Sequence, residues 1–357
     1  MTVARSWVLH VDLDQFVAAV EVLRRPELAG LPVVVGGRGD PTERGVVATA
    51  SYEAREHGVG SGMPLRTAAR KYPDAVFLPL DAPAYEEASA AVMDVLRGFD
   101  AVVEVLGWDE AFLGVATDDP EELAHRVEEA VLRETGLHCS VGIGDNKLRA
   151  KVATGFAKPA GVFRLTEETW LPVMGGRSTD ALWGIGRKTA ARLAALGITT
   201  VAELAVADAH RLAEELGPTM GPWYRRLGRG VDTSPVEGTP WVPRSHSRET
   251  TFQHDLEAPR EVEAEVRTLA RRVMADLDRE GRPAVRVTVK VRLAPFETHT
   301  RSRALAGPTT DAEVIADTAV ELARTLAGDR RVRLLGVRAE MTPPESPRLP
   351  SGAAPRN

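Results

Sequence analysis

Two acids, Asp12 and Asp14, interrupt the apolar run WVLHVDLDQF at residues 7–16, and two more, Asp109 and Glu110, lie in the middle of VEVLGWDEAFLGV at 103–115. A buried carboxylate without a partner is very costly, so each pair needs a compensating group. Two compensations compete for the first pair. In one, Asp14 caps a helix starting at Gln15 and Asp12 pairs with an arginine; in the other, the acids hold a metal. If the two pairs meet in space, three carboxylates repel unless cations neutralise them. Mg²⁺ takes a few carboxylates together with substrate phosphates. Two such ions about 4 Å apart activate a hydroxyl and stabilise the leaving oxygen of an in-line phosphoryl displacement.

Basic groups suited to phosphate accompany the acids. In ATASYEAR, Tyr52 and Arg55 are three residues apart and share a helix face, and the planar fork of arginine suits phosphate oxygens. Of 45 Lys+Arg only six are lysine, and three of these, Lys147, Lys151 and Lys158, fall within KLRAKVATGFAK. Lysine supplies a compact charge on a flexible stem. Pro159 pushes Lys158 out of the helical region, whereas Lys147 and Lys151 read as solvated or DNA-facing. In LWGIGRKTAARLAALGI, Gly184 and Gly186 permit tight turns and expose backbone N–H groups at a helix start, with Arg187 and Lys188 adding charge. This spacing predicts a helix-hairpin-helix that grips phosphates without reading bases. In RPAVRVTVKVRL, Val285, Val287, Val289 and Val291 alternate with Arg286, Thr288, Lys290 and Arg292, which predicts a strand with one packed and one basic face.

The elements that must position these groups follow from periodicity. On a strand, Trp7, Leu9, Val11 and Leu13 share an apolar face, and Val8, His10, Asp12 and Asp14 share the other. Helical patterns at APAYEEASAAVMDVLRGF and PEELAHRVEEAVLRETG surround a hairpin turning at Gly107–Glu110, and HCSVGIG reads as a strand. That β-α-β-β-α-β rhythm predicts a ferredoxin-like sheet. Residues 170–228 read as helical, GRGVDTSPVEGTPWVP as a linker and 244–341 as α+β, while the five prolines of TPPESPRLPSGAAPRN predict disorder.

Composition sets the frame. The chain has 357 residues, enough for about two to four domains. It is 43% hydrophobic and 27% charged, as in ordinary globular proteins. The lone cysteine, Cys139, excludes an internal disulfide and fits a reducing cytoplasm. No apolar run is long enough to span a membrane. A net charge of −6 argues weakly against nucleic acid. From Arg279 to Arg303, however, seven Lys+Arg face two Asp+Glu, so a basic stripe is hidden within the acidic total.

Five segments, HVDLDQF, VVATASYEAREHGVGSGMPL, GWDEAFL, CSVGIGDNKLRAKVATGFAKPAG and LWGIGRKTAARLAALGI, occur in that order. Together they resemble the Y-family DNA polymerases of the DinB (polymerase IV-like) type over residues 5–340, and within them an actinobacterial-type member without the aromatic sugar gate. The resemblance implies an α+β, multidomain fold. Its parts are a palm (1–15 and 81–168), fingers (16–80), a helical helix-hairpin-helix thumb (169–228), a linker (229–243), an α+β little finger (244–341) and a tail (342–357). It implies that Asp12, Asp109 and Glu110 hold two Mg²⁺, with Mn²⁺ as an alternative, assisted by the Leu13 carbonyl. Thr49, Tyr52, Arg55 and Lys158 would contact the triphosphate and Phe16 and Val17 the rest of the nucleotide, while Asp14 would not be a main ligand. Gly184, Gly186, Arg187, Lys188, Arg286, Lys290 and Arg292 would contact primer-template DNA.

Two departures from the family pattern matter. Gly107 and Trp108 replace a serine and an aliphatic residue before the acids. Val17 stands where the family places a bulky aromatic residue under the incoming sugar, so ribonucleoside as well as deoxynucleoside triphosphates are expected substrates. Phe16 is expected to face the base or the core. The tail, without Gln, predicts weak or absent sliding-clamp binding, and a cytoplasmic monomer is expected. A palm-type nucleotide cyclase and a non-catalytic DNA-binding homologue are the competing readings. The duplex grips argue against the first, and the retained acids against the second.

Overall fold

The structure, a computed structural model, describes residues 5–344. The chain divides into two compact units, Met1–Pro240 and Trp241–Asn357. In the first unit the strand β1 (Ser6–Leu13) leads into α1 (Phe16–Arg24). A small sheet follows, in which β2 (Val33–Val35) pairs antiparallel with β3 (Thr49–Ala50) and parallel with β4 (Val76–Leu78). Between β3 and β4 run α2 (Tyr52–Glu56) and α3 (Leu65–Lys71). Next come α4 (Ala82–Arg97), β5 (Val102–Val105), β6 (Glu110–Ala116), α5 (Pro120–Thr135), β7 (Cys139–Gly144), α6 (Lys147–Ala157) and β8 (Val162–Leu165).

The main sheet has the order β5-β6-β1-β7-β8. It is the expected β-α-β-β-α-β sheet with one parallel strand added beside β7. As the alternation requires, Trp7, Leu9, Val11 and Leu13 are buried in one cluster with Tyr85, Val92, Met93 and Leu96 of α4 and Leu123, Val127 and Val131 of α5. Each fully buried large side chain contributes roughly 1.5–3 kcal/mol, so this layer fixes the register of β1. Any one-residue slip would turn Asp12 into the core.

The opposite side of the sheet is covered by α6. The helix sits close because Gly142 and Gly144 carry no side chain: a Cβ on Gly142 would lie 2.1 Å from the Ala150 carbonyl oxygen. Asn146 caps α6 by accepting from the Arg149 N–H.

Residues 167–228 form five helices: α7 (Glu167–Met174), α8 (Arg187–Ala195), α9 (Val201–Val206), α10 (Ala209–Leu216) and α11 (Met220–Gly228). Trp170, Met174, Leu193, Leu204 and Leu212 form their core. The segment LWGIGRKTAARLAALGI holds one α-helix rather than two. α7 stops at Gly175–Gly176, leaving room before the hairpin only for a 3₁₀ turn at Thr179–Ala181. The Gly-rich stretch after α11 is irregular but fastened. Val236 packs against Gly114, and the Glu237 N–H donates to Glu104 Oε2 at 2.6 Å.

In the second unit β9 (Ser245–Leu256), α12 (Pro259–Glu280), β10 (Ala284–Leu293), β11 (Glu297–Thr309), α13 (Ala312–Ala327) and β12 (Val332–Met341) form a sheet of order β11-β10-β12-β9. Val266, Val273, Ile315 and Ala319 of the two helices pack on Val287, Val289, Val291 and Leu293. Val285 does not join that face. A bulge between Ala284 and Arg286 shifts the alternation by one residue, so Ala284 is buried in its place and Val285 is half-buried. The end of the chain from residue 345, with most of the predicted tail, lies outside the described residues.

Candidate active site

β1 and β6 run antiparallel with Asp12 directly opposite Glu110 and His10 opposite Phe112. Like charges facing each other across a ladder destabilise it, so this pair requires cations. The nearest ones come from α6 and its C-cap. Lys158 pairs with Asp12, and Lys151 with Glu110. Lys158 has left the helix, at φ −65° and ψ 138°, as the following proline demands.

His10, Asp12 and Glu110 bring one ligand atom each within 4.8 Å of one another. The His10 Nδ1 meets Thr154 Oγ1 at 2.8 Å, and its Nε2 meets Lys151 Nζ at 3.1 Å and Glu110 Oε2 at 3.3 Å. Burial lowers the pKa of this imidazole from its ordinary value. Sequence reasoning placed His10 on the face of Asp12 but assigned it no role. The alternation of β1 was the available signal, and its partners on α6, 141 and 144 residues away, carried none.

The two acids at the head of β6 shift in opposite directions. His10 and then Lys151 pull Glu110 down to about 2, against its burial. Burial, then the charges of Asp12 and Glu110, push the Asp109 carboxyl up. Among the described residues no lysine pairs with Asp109, and the charge of Lys158 is the smallest of the influences on it. Its backbone oxygen accepts the Leu13 N–H at 2.8 Å, tying the turn to the end of β1. The charges of Asp12, Asp109 and Glu110 thus act on one another at one end of the sheet, while the group of ligand atoms within 4.8 Å takes in His10 rather than Asp109; carboxylate oxygens suit a hard divalent cation. Gly107 and Trp108 lie in the turn between β5 and β6, and the Trp108 ring lies 6.3 Å from that of the buried Tyr85.

Asp14 does not cap α1. The N-cap is Gln15 at φ 44°, with no side-chain cap bond. The buried Asp14 carboxylate instead accepts from Tyr52 OH at 2.8 Å, Ser140 Oγ at 3.0 Å and the Ala160 N–H at 2.7 Å. Nor does Asp12 pair with an arginine. These bonds make Asp14 a tie between α2, β7 and the loop after α6. Burial and the Asp14 contact raise the pKa of Tyr52.

Arg55 stands 5.0 Å over the Tyr52 ring and donates from Nε to the Ala50 carbonyl at 2.9 Å, beside Thr49. Phe16 is in the core, and Val17, at 7% exposure, lies in the same cluster at the first turn of α1. The expectation that Lys147 and Lys151 face solvent or DNA fails. Lys147 is 7% exposed and pairs with Glu104 at 2.5 Å, and Lys151 is held by Glu110. Three acids on the side of the sheet that α6 covers, with the Phe112 ring beside Lys147, draw these ammonium groups inward.

The remaining residues lie in two other places. Gly184 has φ +95°, and a Cβ there would lie 2.7 Å from the Trp223 ring, so both conformation and packing require glycine. Gly186 is the N-cap of α8, with Arg187 and Lys188 exposed in its first turn. In the second unit, cross-strand pairing puts Arg286, Lys290 and Arg292 on the side away from the helices. Arg286 pairs with Glu340 at 3.2 Å and Lys290 with Glu249 at 2.7 Å, while Arg292 donates to Thr298 at 2.9 Å. The basic stripe is therefore split. Arg279 pairs with Asp276 on α12 and Arg303 with Glu321 on α13.

Comparison with known proteins agrees with this geometry. The profile of the impB/mucB/samB family matches residues 11–155, and that of its C-terminal domain matches 243–349. The chain is 52% identical over 344 residues to DNA polymerase IV 2 of Mycobacterium tuberculosis, covering 95% of this chain and 99% of the relative. To DNA polymerase IV 2 of Methanosarcina mazei it is 40% identical over 341 residues, 93% and 91% of the two chains. Among solved structures, a Y-family DNA polymerase chimera superimposes with a TM-score of 0.85 at 26% identity, over 94% of this chain and 98% of that one. The insertion ternary complex of Dbh DNA polymerase gives 0.64 at the same identity and coverage.

Proposed function

Because the chain belongs to the Y-family DNA polymerases of the polymerase IV type, a template-directed translesion enzyme, we propose that Asp12, Asp109 and Glu110 are the residues that hold its two metal ions, Mg²⁺ or Mn²⁺ in its place. The observation that carries this assignment is the facing of Asp12 and Glu110 across β1 and β6, with Asp109 beside them. Bound there, the ions would supply activation of the primer hydroxyl and neutralisation of the developing charge. The chain's own groups do the rest. Lys158 and Arg55 take up charge on the triphosphate, Thr49 and Tyr52 orient it, and the Leu13 carbonyl helps complete the ligand set. The primer 3′ oxygen attacks the α-phosphorus, and pyrophosphate leaves.

Val17 lies at the first turn of α1 and is the residue under the incoming sugar. Valine is β-branched and stiff, too short to fill the space beneath C2′, so ribonucleotides enter alongside deoxynucleotides. Overpacking costs typically about 1–3 kcal/mol and each 1.4 kcal/mol is about tenfold. Val17→Phe is therefore expected to lower kcat/KM for a matched ribonucleotide about tenfold or more relative to the deoxynucleotide. Strong discrimination by the wild type, with little added by phenylalanine, would reject this role.

The exposed first turn of α8 and the polar face of β10 and β12 are the DNA grips, the enzyme acts as a monomer, and it makes no strong contact with a sliding clamp through residues 342–357. No helix among the described residues is long and apolar enough to cross a membrane.

A further inference from the structure

α6 and its cap carry three of the chain's six lysines. Residues 147 and 151 are one turn apart on α6 and share a face, and Lys158 follows at its C-cap. Each reaches a different acid on the same side of the main sheet: Lys147 to Glu104, Lys151 to Glu110 and Lys158 to Asp12. Two of those acids belong to the proposed metal set and one does not. The three lysines are thus a row of resident cations laid over an acidic row.

Lys151 has somewhere else to go. Its ammonium is 5.7 Å from the Trp183 ring, whose face accepts a cation. Beside it a hollow of about 350 Å³ runs between Asp12, Thr154, Lys158 and Trp183. Lys147 is differently placed. It is buried, with its ammonium 5.5 Å from the Phe112 ring, and Glu104 also accepts the Glu237 N–H, so that pair is locked from both sides.

We infer that Lys151 is a positioning residue that holds Glu110 in the metal-free enzyme and exchanges with the incoming cation, moving toward Trp183 as Glu110 is released. A divalent ion and an ammonium compete for the same carboxylate oxygen, so removing Lys151 must strengthen metal binding. A purely structural lysine would have the opposite effect, because its loss would disorder Glu110.

The test uses the full chain without DNA or nucleotide, titrated with Mn²⁺, with free ion read by electron paramagnetic resonance. Lys151→Gln is expected to tighten Mn²⁺ binding at least fivefold. Lys151→Arg, which keeps the charge, should stay within twofold of wild type, and Lys147→Gln should leave binding unchanged. In metal-free buffer Lys151→Gln should melt below wild type, and excess Mn²⁺ should close the gap. If Lys151→Gln unfolds too readily to titrate, Lys151→Met, of similar shape without charge, is read in the same way. Binding no tighter than wild type in the variant without charge, or equal tightening by Lys147→Gln, overturns the exchange. The inference rests on the proposed metal set, and Asp109→Ala separates the two. Wild-type Mn²⁺ binding in Asp109→Ala removes the metal assignment itself. Loss there, with no change in Lys151→Gln, removes only the exchange.

Discussion

The two large sheets are built from the same order of elements, β-α-β-β-α-β, and put it to different use. In the first the central strands are the first and third of the set, β1 and β6; in the second they are the second and fourth, β10 and β12. The first arrangement brings the end of β1 and the start of β6 together, so acids at those two chain positions meet at one end of the sheet. The second places long strands of 10 and 13 residues side by side as β10 and β11, with alternating polar side chains facing away from the helices. The first sheet is covered on both sides, by α4 and α5 on one and α6 on the other, and its charges are paired inward. In the second, α12 and α13 both pack on one side. The same string of elements can thus concentrate charge at one end or spread it over a face, depending on which strands are central.

Glycines offer the strongest way to break this contrast. On the covered side of the first sheet, Gly142→Ala drives a Cβ to 2.1 Å from a backbone oxygen, and α6 cannot yield without losing the lysine row. We expect a loss at or above the usual overpacking range of about 1–3 kcal/mol, seen as a large fall in melting temperature. On the polar side of the second sheet, Gly336→Ala brings a Cβ no nearer than 3.3 Å to Glu249 Oε2 and 3.5 Å to the Lys290 Cβ, and should cost less than about 1 kcal/mol. Equal losses would show that the polar face is as closely packed as the covered side.

The adjacent acids of β6 sharpen the contrast at the acidic end. Glu110 is held at about 2, below its ordinary 4.5. A depressed carboxyl stabilises the fold above its unfolded value, and that stability is lost as pH falls from about 4.5 toward 2. Asp109 is shifted up, so its charge costs stability at neutral pH and the cost is relieved on acidification. In metal-free buffer at pH 7, Glu110→Gln should lower stability by up to about 3 kcal/mol, whereas Asp109→Asn should raise the melting temperature. Changes of the same sign in both would contradict the charge pattern at this end.

The smallest effects belong to the polar face. Lys290→Ala should weaken binding to duplex of any sequence and reduce the salt slope by about 1, because a phosphate contact adds affinity without reading bases. Glu249→Gln, which frees Lys290 from its partner, should strengthen binding. Preference for one DNA sequence that changes with either variant would assign the face to base readout.

Much of this was legible in the sequence, for identifiable reasons. Strand alternation gave the two faces of β1, and helical spacing gave α4 and α5, because both periods are local. The roles of His10, Asp14, Lys147 and Lys151 were not legible, because their partners are distant in sequence: Thr154 for His10, Ser140 and Ala160 for Asp14, Glu104 and Glu110 for the lysines. Capping of α1 by Asp14 was the economical local reading, and it lost to three tertiary hydrogen bonds. Val285 was misplaced because a bulge adds one residue to a period of two, which no alternation pattern announces.

The central claim is that the acidic end of the first sheet performs the chemistry and the duplex is held elsewhere. Single-turnover primer extension by Asp109→Ala, on primer-template already bound, tests it most directly. Loss of metal-borne charge stabilisation worth several kcal/mol predicts a rate reduced roughly a thousandfold or more, with the dissociation constant for duplex unchanged within about twofold. Extension at the wild-type rate, or a loss of activity accounted for by lost duplex binding, would contradict it.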